Sequence, residues 1–244
     1  MFMGLGKTVT VLTAILDLYR SCEVRKVLVI APKRVALHTW PTEIGQWEHT
    51  SGLSHTVIAG SIKIRTAKLR EKTDIHIIGR ESVPWLVETL GHYWDYDMVV
   101  IDESSSFKSH KAKRFKSLRL MFNKITRLVE LTGTPAPNGL LDLWSQAYLL
   151  DQGAALGKNI TAYRKTYFYP KPGFFGWTLK SQEHAKLIYE KLQEKCFTIK
   201  HSDYIELPEV LVNRIDVDLP PKARTQYEIL EKELFLSFED GSNV

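Results

Sequence analysis

The stretch MVVIDE, residues 98–103, places two adjacent carboxylates directly after a run of apolar residues. A short apolar run of this kind is typical of a strand that is buried on both faces of a parallel sheet. Parallel strands end at a common edge of an open sheet, and ligands bind outside that edge. We therefore predict that Asp102 and Glu103 lie at the ligand-binding edge of an α/β sheet. The alternative is an aspartate that caps the next turn beside a surface glutamate.

Four further apolar runs resemble this strand, and segments with helical periodicity lie between them. The predicted strands are Lys26–Ala31, His55–Ala59, Asp74–Gly79, Met98–Asp102 and Leu128–Thr132. The predicted helices of this region are Thr8–Tyr19, Arg34–Trp47, Ile62–Glu71, Ser82–Leu90 and Lys111–Phe122. Because strands alternate with helices, the pattern predicts βαβ units, a mostly parallel sheet and right-handed crossovers.

The remaining chain predicts fewer regular elements. We expect helices at Leu140–Leu150, Glu183–Glu194 and Lys222–Phe238. A strand is expected from Leu207–Pro208 to Pro220–Pro221, with proline at both of its ends. The Gly- and aromatic-rich segment Asp151–Thr178 predicts irregular structure. Its aromatic part, Tyr163–Trp177, favours core or loop packing over base stacking. We divide the chain into one domain over residues 1–205 and a connector over residues 206–244.

Composition excludes several classes of protein. Of the 244 residues, 44% are apolar and 25% are charged, as in ordinary globular proteins. No run approaches the ~20 apolar residues of a membrane span, so we expect no membrane partner. The two cysteines, Cys22 and Cys196, lie far apart, which indicates a reducing compartment and predicts a cytoplasmic protein, in the host cytoplasm if it is viral.

Positive charge is concentrated in one segment. Residues 107–127 contain no acidic residue and eight basic ones: Lys108, Lys111, Lys113, Arg114, Lys116, Arg119, Lys124 and Arg127. A solvated helix face is the simpler interpretation of such a run. A surface that contacts the phosphate backbone of a nucleic acid is the alternative, and the net charge of +5 is compatible with it.

A second motif, Gly4-Leu5-Gly6-Lys7-Thr8, directly precedes a helix-forming segment. Glycines allow the backbone to turn its N–H groups around phosphate oxygens, and the start of a helix attracts anions. In such a loop Lys7 reaches the β- and γ-phosphates and the Thr8 hydroxyl ligates Mg²⁺. The general pattern places a further glycine where this chain has Met1, so a flexible chain start is the alternative.

A third motif, Leu131-Thr132-Gly133-Thr134-Pro135, follows the last predicted strand. Hydroxyl groups at this edge of the sheet can bond the carboxylates of the MVVIDE stretch and transmit the state of a nucleotide. Taken alone, the motif is also compatible with an ordinary exit from a strand into a turn.

The three motifs together resemble the first motor domain of superfamily-two helicase-like ATPases. The resemblance is greatest to Swi/Snf-type translocases and their phage relatives. It implies a RecA-like sheet, ATP and Mg²⁺ as ligands, and double-stranded DNA as the partner. On this resemblance Lys7 and Thr8 bind phosphate and metal, Asp102 holds the metal, and Glu103 acts as the base. Thr132, Gly133 and Thr134 would couple the nucleotide to DNA.

Other segments extend the resemblance along almost the whole chain. The stretch LVIAP, residues 28–32, with Trp40, Glu43 and Trp47, is similar to the family segment that touches the tracked DNA strand. This similarity implies that Pro32, Lys33 and Trp40 contact DNA. Lys108 and Lys111 of the basic segment, residues 107–127, are further candidates for DNA contact. Asn138, Leu141, Leu143 and Trp144 match the segment that usually follows the third motif.

Two departures from the family pattern qualify this interpretation. Ser104-Ser105 follows Asp102-Glu103 where relatives usually carry Ala-His, so coupling through that histidine is absent. The sequence also begins at the phosphate loop, without the apolar strand that precedes it in relatives, and without a second motor domain with its arginines. The alternatives are a non-catalytic DNA-binding or assembly fragment of a split motor and, less compatible with the later motifs, a small P-loop kinase.

Overall fold

The computed structural model of the chain describes residues 5–173, 176–199 and 216–233. The chain divides into two units, Met1–Ile205 and Glu206–Val244. The sheet and all three motifs belong to the first unit. Residues 216–220 of the second unit have no regular structure, and they precede a helix. The role of this unit as a connector remains a prediction.

The core of the first unit is a five-stranded parallel sheet in the order β2-β3-β1-β4-β5. Each strand falls within or almost within a predicted run: β1 (Val27–Ala31), β2 (His55–Ile58), β3 (Ile75–Gly79), β4 (Met98–Asp102) and β5 (Arg127–Leu131). The prediction of an α/β fold with a parallel sheet is therefore confirmed. The order also makes β4 and β5 neighbours, with Asp102 opposite Leu131.

Helices flank the sheet, and most of them match the predicted ones. Their bounds are α1 (Lys7–Arg20), α2 (Trp40–Gln46), α3 (Ile62–Lys68), α4 (Val83–Leu90), α5 (Lys113–Arg119), α6 (Leu143–Asp151), α7 (Ile160–Tyr167) and α8 (Gln182–Gln193). In the second unit, α9 spans Pro221–Glu233. The helix predicted at Arg34–Trp47 is divided, because a π-helical turn at Val35–Thr39 precedes α2.

Two hydrophobic clusters cover the two faces of the sheet, because alternate residues of each strand point to opposite faces. In β1, Leu28 and Ile30 belong to one cluster, with side chains of α4, α5 and α6. Val27, Val29 and Ala31 belong to the other cluster, with side chains of α1 and α2. All five residues of β1 are completely buried. The central strand is therefore apolar throughout, as the sequence predicts for a doubly covered parallel sheet.

Strand β5 forms one end of the sheet, and in the described part of the chain no strand pairs with its outer edge. Four of its five residues are only half-buried, whereas the first four residues of β4 are fully buried. Glu130 in this strand has its Oε1 atom enclosed without a hydrogen-bond partner among the described residues. Burial raises the pKa of the Glu130 carboxyl well above its usual range.

The prediction of irregular structure over Asp151–Thr178 is wrong. This segment contains α7 and most of an antiparallel pair formed by β6 (Phe168–Pro170) and β7 (Trp177–Leu179). Asn159 caps α7 by accepting a hydrogen bond from the Ala162 N–H at 2.7 Å. The aromatic residues mask the helical pattern because Tyr163, Tyr167 and Phe168 are buried in the core. That burial confirms core packing for these three aromatics.

Other predictions fall partly outside the described residues. The strand predicted from Leu207 to Pro221 lies mostly outside them. The last predicted helix, Lys222–Phe238, is present as α9 up to Glu233. Within the described ranges, no helix combines the length and the apolar character that crossing a bilayer requires.

Stability of the first unit is expected to fall on acidification, because of His76 in β3. The ring is completely buried, its Nδ1 lies 2.6 Å from the Tyr96 hydroxyl, and its Nε2 lies 3.0 Å from the Glu71 carbonyl oxygen. Burial, with the nearby charge of Lys26, lowers the pKa of His76. As pH falls, the imidazole of residue 76 is therefore protonated in the unfolded chain at a higher pH than in the folded one. The free energy of unfolding falls as pH drops below about 6.5, the ordinary pKa of histidine.

Urea unfolding at about pH 7.5 and about pH 5.5 measures this loss. The variant His76→Gln should lose less stability between the two conditions than the wild type, by up to about 1.4 kcal/mol, because pH 5.5 lies about one unit below the pKa of histidine in the unfolded chain. The exposed His38, replaced in His38→Gln, provides the matched control. Equal losses in the wild type and His76→Gln would contradict the assignment.

Candidate functional site

The start of α1 forms an anion-binding geometry. Gly6 precedes the helix with φ of 69°, and a Cβ atom added there would lie 3.3 Å from Val9 Cγ1. The N-cap residue Gly6 provides no side-chain hydrogen bond to the first turn, and the first amides of any α-helix have no acceptor within the helix itself. Lys7 and Thr8 belong to this turn and are half-buried, as is Leu5. Gly4 lies outside the described residues.

Asp102 ends β4 at the carboxyl edge of the sheet, as predicted. The Trp40 indole Nε1–H donates a hydrogen bond to its Oδ2 atom over 3.0 Å. Burial raises the pKa of the Asp102 carboxyl above its usual value. This indole hydrogen bond, the Glu103 backbone N–H and the charge of Lys7 act in the opposite direction. Lys7 of the first motif therefore lies near enough for its charge to influence the Asp102 carboxyl.

Glu103 is held by two hydroxyl groups. Its Oε1 accepts a hydrogen bond from Ser105 Oγ at 2.5 Å and another from Thr132 Oγ1 at 3.1 Å. The Thr134 backbone N–H donates in turn to Thr132 Oγ1 at 3.1 Å. Glu103 itself has φ of 57°, a left-handed conformation that is uncommon outside glycine and that clusters at functional sites. The second and third motifs are therefore joined by side-chain hydrogen bonds.

Gln146 in α6 is a site residue that the sequence did not reveal. Its side chain is buried, and its Oε1 accepts a hydrogen bond from Ser104 Oγ at 2.9 Å. Its Nε2 donates to the Pro135 carbonyl oxygen at 2.6 Å and to the Asp142 carbonyl oxygen at 3.0 Å. The amide thus connects the turn after Asp102-Glu103 with the loop after Thr132. A glutamine within a mostly apolar helical stretch, residues 143–150, is the signal that could have identified it.

A cavity of about 540 Å³ lies along β5 and reaches the motifs. Lys7, Thr132 and Gly133 line it, together with Ser104 and Gln146. Apolar side chains of β5, α6 and residues 192–199 complete its wall. The cavity therefore contains residues of the first and third motifs, together with Ser104, which directly follows the MVVIDE stretch.

The residues predicted to contact DNA have different environments. Lys33 and Lys111 are exposed, Pro32 is half-buried, and Lys108 pairs with Asp142 at 3.4 Å. Trp40 is completely buried, so its side chain presents no surface to DNA. A buried tryptophan usually finds a hydrogen-bond partner for its N–H, and here that partner is Asp102. Trp40 is therefore part of the core and contacts the carboxylate site.

The basic segment of residues 107–127 contains both structural and exposed charges. Arg114 pairs with Glu81 at 2.7 Å, and the Arg119 guanidinium lies 4.9 Å from the centre of the Tyr148 ring. Lys111, Lys113 and Lys116 are exposed at the start of α5 and just before it. These three lysines are thus accessible to an anionic partner.

The residues at the sheet edge also fit a magnesium ion bound with a nucleotide. Mg²⁺ is usually held by one or two protein oxygen ligands, with water and substrate phosphates completing its shell. Asp102 and Thr8 provide a carboxylate and a hydroxyl of this kind. In the described part of the chain there is no group of three or more His, Cys, Asp or Glu side chains that could hold a metal without a nucleotide.

Comparison with known proteins agrees with this geometry. A family model described as the SNF2-related domain matches residues 2–238. The chain belongs to the SNF2-related domain family. The resemblance to Swi/Snf-type ATPases that the motifs indicate is thereby confirmed.

Individual relatives of this SNF2-related domain include phage, human and archaeal proteins. It is 37% identical over 250 residues to "Putative protein p41" of Acyrthosiphon pisum secondary endosymbiont phage 1, covering 98% of this chain and 54% of that protein. It is 27% identical over 249 residues to the human "DNA annealing helicase and endonuclease ZRANB3", covering 99% of this chain and 22% of that protein. The chain therefore spans about half of the phage relative and a smaller part of the human one.

A solved structure is similar in both fold and sequence. The Sulfolobus solfataricus SWI2/SNF2 ATPase core in complex with dsDNA matches with a TM-score of 0.56 and 26% identity. The match covers 68% of this chain and 33% of that chain. The likeness supports the assignment of the five-stranded sheet to the ATPase core fold of this family.

Proposed function

We propose that this SNF2-related domain binds ATP with Mg²⁺, hydrolyses it, and couples hydrolysis to translocation on double-stranded DNA. The observation that carries the proposal is the hydrogen bond that Thr132 donates to Glu103. Glu103 directly follows Asp102, and the charge of Lys7 acts to lower the pKa of the Asp102 carboxyl. Acid pairs at strand ends and threonines after strands are common separately. Their direct contact at one edge of the sheet, next to a phosphate-binding helix start, is what a nucleotide hydrolase requires.

Phosphate binding is assigned to the first turn of α1. Gly6 provides the left-handed backbone that turns the chain into the helix, and Lys7 adds a positive charge. Helix-terminal N–H groups and an ammonium group together bind the phosphates of a nucleotide. Leu5 and Gly4 complete the loop in this proposal.

Metal binding is assigned to Thr8 and Asp102. A magnesium ion bound there would neutralise negative charge on the phosphate oxygens. The half-buried Asp102 carboxylate is oriented by the indole of Trp40 before any ligand arrives. Of the two proposed ligands, Asp102 is therefore already oriented by the protein itself.

Glu103 is assigned as the general base. A base must reach the attacking water and must be held in a defined orientation. The hydroxyls of Ser105 and Thr132 both donate to Oε1, which restrains the carboxylate. The second oxygen of this carboxylate can then accept a proton from the water. Thr132 and Thr134 connect this base to the loop that ends the next strand, so we assign coupling to Thr132, Gly133 and Thr134.

Duplex DNA is the proposed partner because the Sulfolobus neighbour is a core in complex with dsDNA. We assign DNA contact to Pro32 and Lys33 after β1 and to the exposed lysines near α5. Translocation or remodelling is preferred over strand separation, because the resemblance of the motifs to Swi/Snf-type translocases implies it. A second RecA-like motor domain is the other proposed partner.

Charge reversal near α5 tests the DNA surface. The double variant Lys111→Glu/Lys116→Glu should weaken binding of a short DNA duplex about tenfold or more, because each lost phosphate contact removes counterion release. The slope of log affinity against log salt concentration should fall by about 2. Fluorescence anisotropy over a salt series measures both quantities.

The matched control is Lys186→Glu/Lys191→Glu, which makes the same charge change on exposed positions of α8. This control should retain the wild-type salt slope. Equal effects of the two double variants would show that only net charge matters, and they would contradict the assignment of a DNA surface to α5.

A further inference from the structure

Trp40 makes a contact that differs from those of the other buried tryptophans. Its ring is completely enclosed, and its Nε1–H donates to Asp102 Oδ2 at 3.0 Å. Trp94 and Trp144 are also buried, but their indoles donate to backbone carbonyl oxygens, of Tyr96 at 2.9 Å and Gly157 at 3.0 Å. Among the buried tryptophans of the described chain, Trp40 alone therefore bonds a carboxylate.

The hydrogen bond between Trp40 and Asp102 satisfies a polar group on each partner. A buried indole N–H without an acceptor, or a buried carboxylate without donors, costs free energy. A rigid donor on one oxygen also restricts rotation of the carboxylate about its Cβ–Cγ bond. The indole packs in the buried cluster that contains Val29 of β1 and Ile15 of α1. Asp102 is thus bonded to a side chain that is part of the core.

The position of Trp40 in the chain adds a second connection. Residue 40 begins α2, directly after the π-helical turn Val35–Thr39, and that turn follows Pro32 and Lys33. The same short segment therefore contains the proposed DNA contacts at one end and the Asp102 donor at the other. A π-turn in such a place is typical of functional sites.

We propose that Trp40 is a positioning residue for metal–nucleotide binding: its indole N–H holds the Asp102 carboxylate in the orientation that the Mg²⁺–nucleotide complex requires. This inference rests on the proposed function. Donors that orient a metal-binding carboxylate typically change metal affinity 10- to 100-fold when they are removed. Trp40 acts through Asp102 and makes no contact with the nucleotide in this proposal.

The test uses the complete 244-residue chain and the variant Trp40→Phe, which keeps an aromatic ring and removes the N–H. Calorimetric titration with ADP is carried out with Mg²⁺ and again with EDTA. Trp40→Phe should weaken ADP binding in Mg²⁺ about tenfold. In EDTA it should bind ADP as the wild type does, since Lys7 and the α1 amides are unchanged. Trp94→Phe, which loses a similar buried hydrogen bond elsewhere, should match the wild type in both conditions.

A double-variant comparison identifies the route of the effect. In an Asp102→Asn background, Trp40→Phe should cause no further loss of Mg²⁺-dependent binding, because the group that it positions is gone. Equal weakening by Trp40→Phe with and without Mg²⁺, or an undiminished effect in the Asp102→Asn background, would overturn the inference.

A spectroscopic measurement on the unaltered chain covers the case in which Trp40→Phe does not fold. The indole ¹H–¹⁵N signal of Trp40, assigned by its displacement in Asp102→Asn, should shift on addition of Mg²⁺ with ADP. It should not shift with ADP in EDTA, and the Trp94 signal should stay constant. An unchanged Trp40 signal in Mg²⁺ with ADP would overturn the inference.

The two proposals fail in distinguishable ways. If the wild type binds Mg²⁺–ADP no better than Lys7→Ala does, the proposed function itself is wrong. If binding depends on Lys7 but Trp40→Phe behaves as Trp94→Phe does, only the positioning role of Trp40 is overturned.

Discussion

Replacement of Lys7 by alanine is expected to weaken ATP binding by this chain about 100-fold. An ammonium group that makes charge-assisted hydrogen bonds to phosphate contributes about 1.5–3 kcal/mol, and each 1.4 kcal/mol changes affinity tenfold. Lys7 lies in the first turn of α1 and lines the cavity along β5. Its positive charge also acts to lower the pKa of the Asp102 carboxyl. Its removal therefore takes the main cation away from the proposed phosphate site.

Equilibrium binding of a fluorescent ATP analogue to the wild type and Lys7→Ala measures this loss. The exposed Lys63 of α3, replaced in Lys63→Ala, is the matched control, because it lies on a helix next to β2, at the other end of the sheet. Far-ultraviolet circular dichroism checks that both variants keep the fold. Unchanged nucleotide binding by Lys7→Ala would remove the phosphate-loop assignment.

ATP hydrolysis by the 244-residue chain alone is expected to be very slow, even with duplex DNA present. The described residues that line the cavity include Lys7 and Lys195 but no arginine. Arginines that stabilise the transferring phosphoryl group are worth about 10³–10⁵ in rate. In this family they are expected on a second motor domain, which we propose as a partner. A separately made second motor domain should therefore raise DNA-stimulated turnover by about 10³-fold or more.

Phosphate release assays with and without DNA, and with and without the second domain, measure this effect. Glu103→Gln is the control, because it removes the proposed base and should abolish any gain. DNA-stimulated turnover of about one per second or faster by the chain alone, lost in Lys7→Ala, would contradict the expectation. DNA retention without hydrolysis, even with the second domain, would favour a non-catalytic DNA-binding fragment.

The fold was largely predictable because its strands are short, apolar and separated by helical segments. Each of β1 to β5 lies within or close to its predicted run, since burial on both faces leaves a continuous hydrophobic signal in the sequence. The segment from residue 151 to 178 was not predictable in this way. There the buried positions of α7 and β6 are aromatic, and glycines lie in the connections around these elements, so the pattern resembles that of a loop.

The sequence by itself determined the three motifs, their placement at the strand ends and the family, because these depend on residue type and local periodicity. Only the tertiary structure decided which side chains meet. Trp40 bonds Asp102 across 62 positions, Ser104 bonds Gln146 across 42, and Thr132 bonds Glu103 across 29. Such contacts depend on the order of the strands and on the packing of α2 and α6 against the sheet. Local periodicity carries no information about either, so it cannot identify Gln146 as a site residue. The family resemblance that assigned Trp40 to DNA likewise carries no information about the burial of its side chain.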